Sequence, residues 1–90
     1  MINKIILDSI RTVNSELKNP NLNNPNKDTL LFENLDSISV LNIILELEDR
    51  LQSHYGRYIQ IADDTMMDVI KTPFKTVLLL EEFLKNKIEE

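Results

Sequence analysis

Apolar residues return every three or four positions in three stretches of this chain, and each stretch predicts an amphipathic helix. Between residues 2 and 18 the stripe is Ile2, Ile5, Ile6, Ile10, Val13 and Leu17, while Lys4, Asp8, Arg11, Asn14 and Lys18 take other directions. Asn19-Pro20 stops that helix, because a residue before proline is pushed out of helical φ/ψ. A second helix opens at Asp36 or Ser37, either of which can cap it, and runs to about Leu51 or one turn beyond. A last helix covers about Phe74 to Lys87. Its stripe is Phe74, Val77, Leu78, Leu80, Leu84 and Ile88, widened by Leu79 and Phe83.

Between these stretches the period fails. Residues 19–34 hold Asn19, Asn21, Asn23, Asn24 and Asn26 with Pro20 and Pro25 and read as a long surface loop, with Leu22, Leu30, Leu31 and Phe32 available to anchor it. Residues 52–63 contain the only glycine, Gly56, and read as a second loop. Asp63-Asp64-Thr65 then offers a cap for a short helix carrying Met66, Met67, Val69 and Ile70, ending before Pro73. The expected architecture is one all-α domain over residues 1–90, a four-helix bundle with three longer helices, one short helix and a long loop between the first two.

Composition narrows the function. Ninety residues leave no room for a buried cleft plus a scaffold to support it. The absence of cysteine excludes disulfides and thiolate metal sites and fits a reducing cytoplasm. A net charge of −5 has the wrong sign for a nucleic-acid or anionic-membrane binder. Asp8 interrupts the first apolar stretch too early for a signal peptide, and no run approaches the roughly 20 apolar residues that span a bilayer. A monomer that meets basic partner surfaces is the expectation.

The second helix carries the candidate chemistry. At about 100° per residue, Val40, Ile43, Ile44, Leu47 and Leu51 form its apolar face, with Leu41 at the margin. Ser39, Asn42, Glu46, Asp49 and Arg50 lie opposite. Ile38 and Leu45 fall outside the core stripe and project together beside Asn42 and Asp49, as a small docking patch would. Asp36, Glu46, Glu48 and Asp49 against Arg50 give residues 36–51 a net charge of −3, most of the charge of the chain. Ser37 stands where free backbone N–H groups and the helix dipole favour a phosphate.

Leu35-Asp36-Ser37-Ile38, with the apolar and acidic pattern of Leu41 to Leu51, resembles the acyl carrier protein family, whose signature is Asp-Ser-Leu. Ile59 to Asp64 and Lys75 to Leu84 resemble that family's entry into its third helix and its last helix. The resemblance implies that a phosphopantetheinyl transferase esterifies Ser37 with 4′-phosphopantetheine from coenzyme A. It also implies that the chain is a non-catalytic carrier holding acyl cargo as a thioester for acyl-loading and acyl-using enzymes. Asp36 would border the arm, and Ile38, Asn42, Leu45 and Asp49 would dock partners. The chain departs from the fatty-acid members at Asn34, where they carry glycine, at Ser39 and Asn42, where they carry acids, and in a longer, more basic 52–58 stretch. These departures imply a dedicated pathway. Lys71 to Val77 is similar to D-alanyl carrier proteins, which makes an aminoacyl cargo the alternative, and an unmodified helical interaction module is a further one.

The remaining chemistry-bearing residues read as structural. His54 lacks a patterned nucleophile or carboxylate partner. Asp63, Asp64 and Asp68 have capping positions and no calcium-loop spacing. Met66 and Met67 read as core filler, Tyr55 and Tyr58 as loop packing, and Glu89-Glu90 as a solvated tail.

Overall fold

A computed structural model describes residues 1–89; of the expected tail, Glu90 lies outside the described residues. Three α-helices carry the fold: α1 (Ile2–Leu17), α2 (Ser37–Tyr55) and α3 (Val77–Glu89), with short 3₁₀ turns at Pro20–Leu22, Phe32–Asn34 and Pro73–Lys75. Among the described residues the only β-type pairing is an isolated antiparallel bridge between Leu30 and Thr76. The architecture is all-α.

The core forms where the helical stripes meet. Ile6, Ile10, Ile43, Leu47, Leu51, Leu80 and Leu84 are fully buried, joined by Leu22, Leu31, Ile61 and Phe74 from the connections. Each such side chain contributes roughly 1.5–3 kcal/mol on leaving water, so the connections are core elements as much as the helices are. Leu78 and Leu79 depart from the expected α3 stripe and stay about two-fifths exposed.

Local backbone geometry sets the helix ends. α1 stops at Leu17, because Lys18 adopts the left-handed conformation (φ 58°) and returns its N–H to Asn14 O at 2.7 Å. α2 runs one turn past Leu51 to Tyr55, which packs against the core at i+4 from Leu51. Gly56 then ends it in the left-handed region (φ 72°), donating to Gln52 O at 2.9 Å. Glycine has the least strain at such a position.

The short helix over 65–70 is replaced by consecutive turns. The Asp68 carboxylate accepts the N–H groups of Ile70 (2.8 Å) and Lys71 (3.1 Å), drawing them away from a helical ladder. One helical bond survives, Thr72 N–H to Asp68 O at 2.8 Å. Nor does the segment have a core-facing stripe: Met66 is buried, but Met67, Val69 and Ile70 are exposed. Burial cannot offset the cost of nucleating so short a helix. The first α-helix after this segment is therefore α3.

The two connections hold each other. Leu31 N–H donates to Lys75 O (3.0 Å), while Thr29 O and Lys27 O accept the N–H groups of Val77 (3.2 Å) and Leu78 (3.0 Å). The last two bonds satisfy orphan donors in the first turn of α3. Among the described residues no helix is long and apolar enough to cross a membrane.

Candidate functional site

Which residue caps α2 decides whether Ser37 is free. Asp36 takes that position with extended backbone (ψ 174°), and its Oδ1 accepts the Ser39 N–H at 2.7 Å. That backbone N–H, with further hydrogen bonds from Ser39 and Ile38, holds the Asp36 carboxyl below its ordinary value despite some desolvation. Ser37 is the first helical residue. It is exposed, and among the described residues no group hydrogen-bonds its Oγ. Its hydroxyl stands in the positive field of the helix start with no structural duty of its own.

The apolar patch beside it is larger than the sequence pattern suggested. Ile38 is 68% and Leu45 63% exposed, and Leu41, expected at the core margin, is 51% exposed and joins them. Ile38, Leu41 and Leu45 are spaced i, i+3 and i+7, so they share one face of α2. The spacing from Ile38 was the signal for Leu41. Asn42 and Asp49 are exposed on the flank.

The acidic charge of α2 is only partly free for a partner. Glu46 pairs with Arg50 at 3.1 Å, and Arg50 reaches across to Thr12 Oγ1 on α1 at 2.9 Å. Glu48 turns toward the second connection, where Oε2 accepts Ile61 N–H at 2.8 Å and Oε1 accepts the Tyr58 hydroxyl at 3.3 Å. Asp49 is the acid of this helix with no partner among the described residues. Ser39 is buried rather than solvent-facing, because α1 packs beside the first turn of α2. Ser39, Asn42, Leu45 and Glu46 thereby wall an open groove of about 470 Å³ against Thr12, Val13, Glu16 and Leu17.

A second groove, about 320 Å³ and mainly apolar, lies between the connections and is lined by Leu30, Phe32 and Val69 with Glu33 and Lys75. Asp63 accepts Thr65 N–H at 2.8 Å, and Asp68 closes its own turn, so these acids act as caps. Among the described residues no three His, Asp or Glu side chains converge as metal ligands.

The loop before the site departs furthest from its expected form. Residues 19–34 are not a plain surface connection but are laced by side-chain amides. Asn14, which lies off the apolar stripe of α1, is nevertheless only 7% exposed. Its Nδ2 donates to Asn19 O (3.1 Å) and Asn23 Oδ1 (3.0 Å), and its Oδ1 accepts Asn19 N–H (2.9 Å). No family model, curated protein or solved structure matches this chain.

Proposed function

We propose that this chain is a non-catalytic carrier of the acyl carrier protein type, with Ser37 as the attachment point for a 4′-phosphopantetheine arm. The observation that carries the proposal is the division of labour at the start of α2: Asp36 does the capping, and the Ser37 hydroxyl is exposed and unpartnered. A serine serving only as a cap would have its oxygen on a backbone N–H.

Ser37 Oγ forms a phosphodiester with the arm and loses its proton to the transferase, while the nucleotide half of coenzyme A leaves. The arm supplies the thiol that a cysteine-free chain lacks, and holds cargo on it as a thioester. Asp36 fixes the helix start from which Ser37 projects. Ile38, Leu41 and Leu45 supply the apolar centre of a docking face, and Asn42 and Asp49 its polar edge. Asp49 and the net charge of −5 favour partners with basic patches, first among them a phosphopantetheinyl transferase. The apolar groove of Leu30, Phe32 and Val69 supports an acyl cargo over an aminoacyl one. A cytoplasmic monomer shuttling between enzymes fits this work.

The test is intact mass after incubation with coenzyme A and a permissive transferase. Wild type should gain the mass of one arm. Ser37→Ala should gain nothing, while its stability stays within about 0.5 kcal/mol of wild type, as expected at an exposed position. An unchanged wild-type mass would overturn the proposal.

A further inference from the structure

Asn34 is a four-point junction just ahead of the site. Its N–H donates to Leu31 O at 3.0 Å, and its Nδ2 donates to Leu30 O at 2.7 Å. Its Oδ1 accepts Asn21 Nδ2 at 3.0 Å, and its carbonyl accepts Asn19 Nδ2 at 3.1 Å. Every polar atom of the residue is therefore engaged. Asn19 in turn uses Oδ1 to accept Asn21 N–H at 2.9 Å and is tied through its backbone to buried Asn14 on α1. The connected path runs from the end of α1 through two amides to a residue only three positions before Ser37.

Asn34 has no positive φ, so the backbone does not require an unusual residue there; the side chain is what the position uses. Asp36 is tied to α2 by the Ser39 and Val40 N–H groups, and between it and Asn34 the chain has few other restraints. Leu35 N–H reaches Phe32 O only at 3.4 Å, and Leu35 is half-buried.

We infer that the amides of Asn19, Asn21 and Asn34 form a clasp that orders residues 34–37 and holds the Ser37 hydroxyl at a fixed place at the mouth of α2. Asn34 is thus a positioning residue for the modification of Ser37, an inference that rests on the carrier proposal for its functional half. A nucleophile offered from an ordered segment meets its acceptor already oriented, and a small misplacement is costly in rate. Leu41 and Leu45, the part of the docking face that lies one and two turns further along α2, do not depend on the clasp. The signature is a fall in kcat with KM unchanged.

Two readouts on the full chain test this. In amide hydrogen exchange, Asn34→Ala should speed exchange at Ser39 and Val40, the N–H groups held by Asp36, by roughly tenfold, as loss of one or two net hydrogen bonds predicts. In arm transfer from coenzyme A, Asn34→Ala should lower kcat by roughly tenfold and leave the KM for the carrier unchanged. Asn19→Ala should do the same, and the double variant should lose little more, because both residues serve one clasp. Gly56→Ala, at the far end of α2, controls for destabilisation and should leave kcat unchanged.

Equal kcat in wild type and Asn34→Ala overturns the inference, even if exchange accelerates. A fall in kcat matched by Gly56→Ala overturns it as well. If wild type takes no arm while exchange at Ser39 and Val40 still depends on Asn34, the carrier proposal fails and the clasp stands as a structural element.

Discussion

The two connections of this fold are similar in length and are held by different chemistry. Residues 18–36 are laced by neutral amides, with Asn14, Asn19, Asn21, Asn23 and Asn34 bonding one another and the backbone. Residues 56–76 are organised by carboxylates: Glu48 gathers Tyr58 and Ile61, Asp63 caps Thr65, and Asp68 caps Ile70 and Lys71. Amides keep their donors and acceptors at every accessible pH, whereas carboxylates lose acceptor strength on protonation. The connection that leads into Ser37 is thus the one whose geometry is least tied to solution conditions. The other leaves Val69 and Ile70 out in solvent.

Both connections are anchored in the core, and removing an anchor should have the largest effect. Phe74→Ala should cost about 3–5 kcal/mol and Leu31→Ala about 2–5 kcal/mol in urea unfolding, since both side chains are fully buried. If Leu31 proves much cheaper, the first connection is less integrated than its partner. Asn14→Ala should cost about 1–3 kcal/mol, because the change strands Asn19 N–H and Asn23 Oδ1. A loss below about 0.5 kcal/mol would show that the amide lacing is decorative.

The helix ends sharpen the comparison at a smaller scale. Gly56→Ala should cost about 1 kcal/mol from backbone strain alone, since an added Cβ would meet nothing within 4 Å. Lys18→Gly should stabilise by about 0.5–1 kcal/mol, because Lys18 already holds the left-handed φ of 58° that glycine adopts freely. Thermal melts of the two variants should move in opposite directions.

Acid should separate the connections most selectively. The Asp63 carboxyl lies below its ordinary value of 3.8, chiefly through the Thr65 hydroxyl and then its N–H, with Lys87 adding attraction. A depressed folded-state value means the bonus is complete above pH 3.8 and disappears as pH falls through the lowered value. Exchange should therefore accelerate at Thr65, whose N–H the Asp63 carboxylate holds, as pH falls below 3.8, while residues 19–34 hold. Asp36 is the exception on the first side, because its cap on Ser39 depends on the same ionisation.

The three α-helices were legible because burial imposes a period that single residues cannot hide. What the period does not encode is polar and tertiary. Nothing in the spacing of Asn14, Asn19, Asn21, Asn23 and Asn34 announces that they bond one another, since amide partners are chosen by the folded path of the loop. The turn at Asp68 is hidden in the sequence because its side chain competes with the helix it stands in. At the site, Asp36 and Ser37 were both visible, but which one caps depends on backbone geometry. That choice separates a structural serine from an available one.

The central claim is that Ser37 carries a thiol-bearing arm on a chain that has no thiol of its own. The most direct measurement is a thiol titration of the unfolded chain, cleared of small molecules, before and after treatment with coenzyme A and transferase. Wild type should read no thiol before and a single thiol per chain after, and Ser37→Ala should read none in either state. A wild-type chain that stays free of thiol, or a Ser37→Ala chain that gains one, would contradict the account.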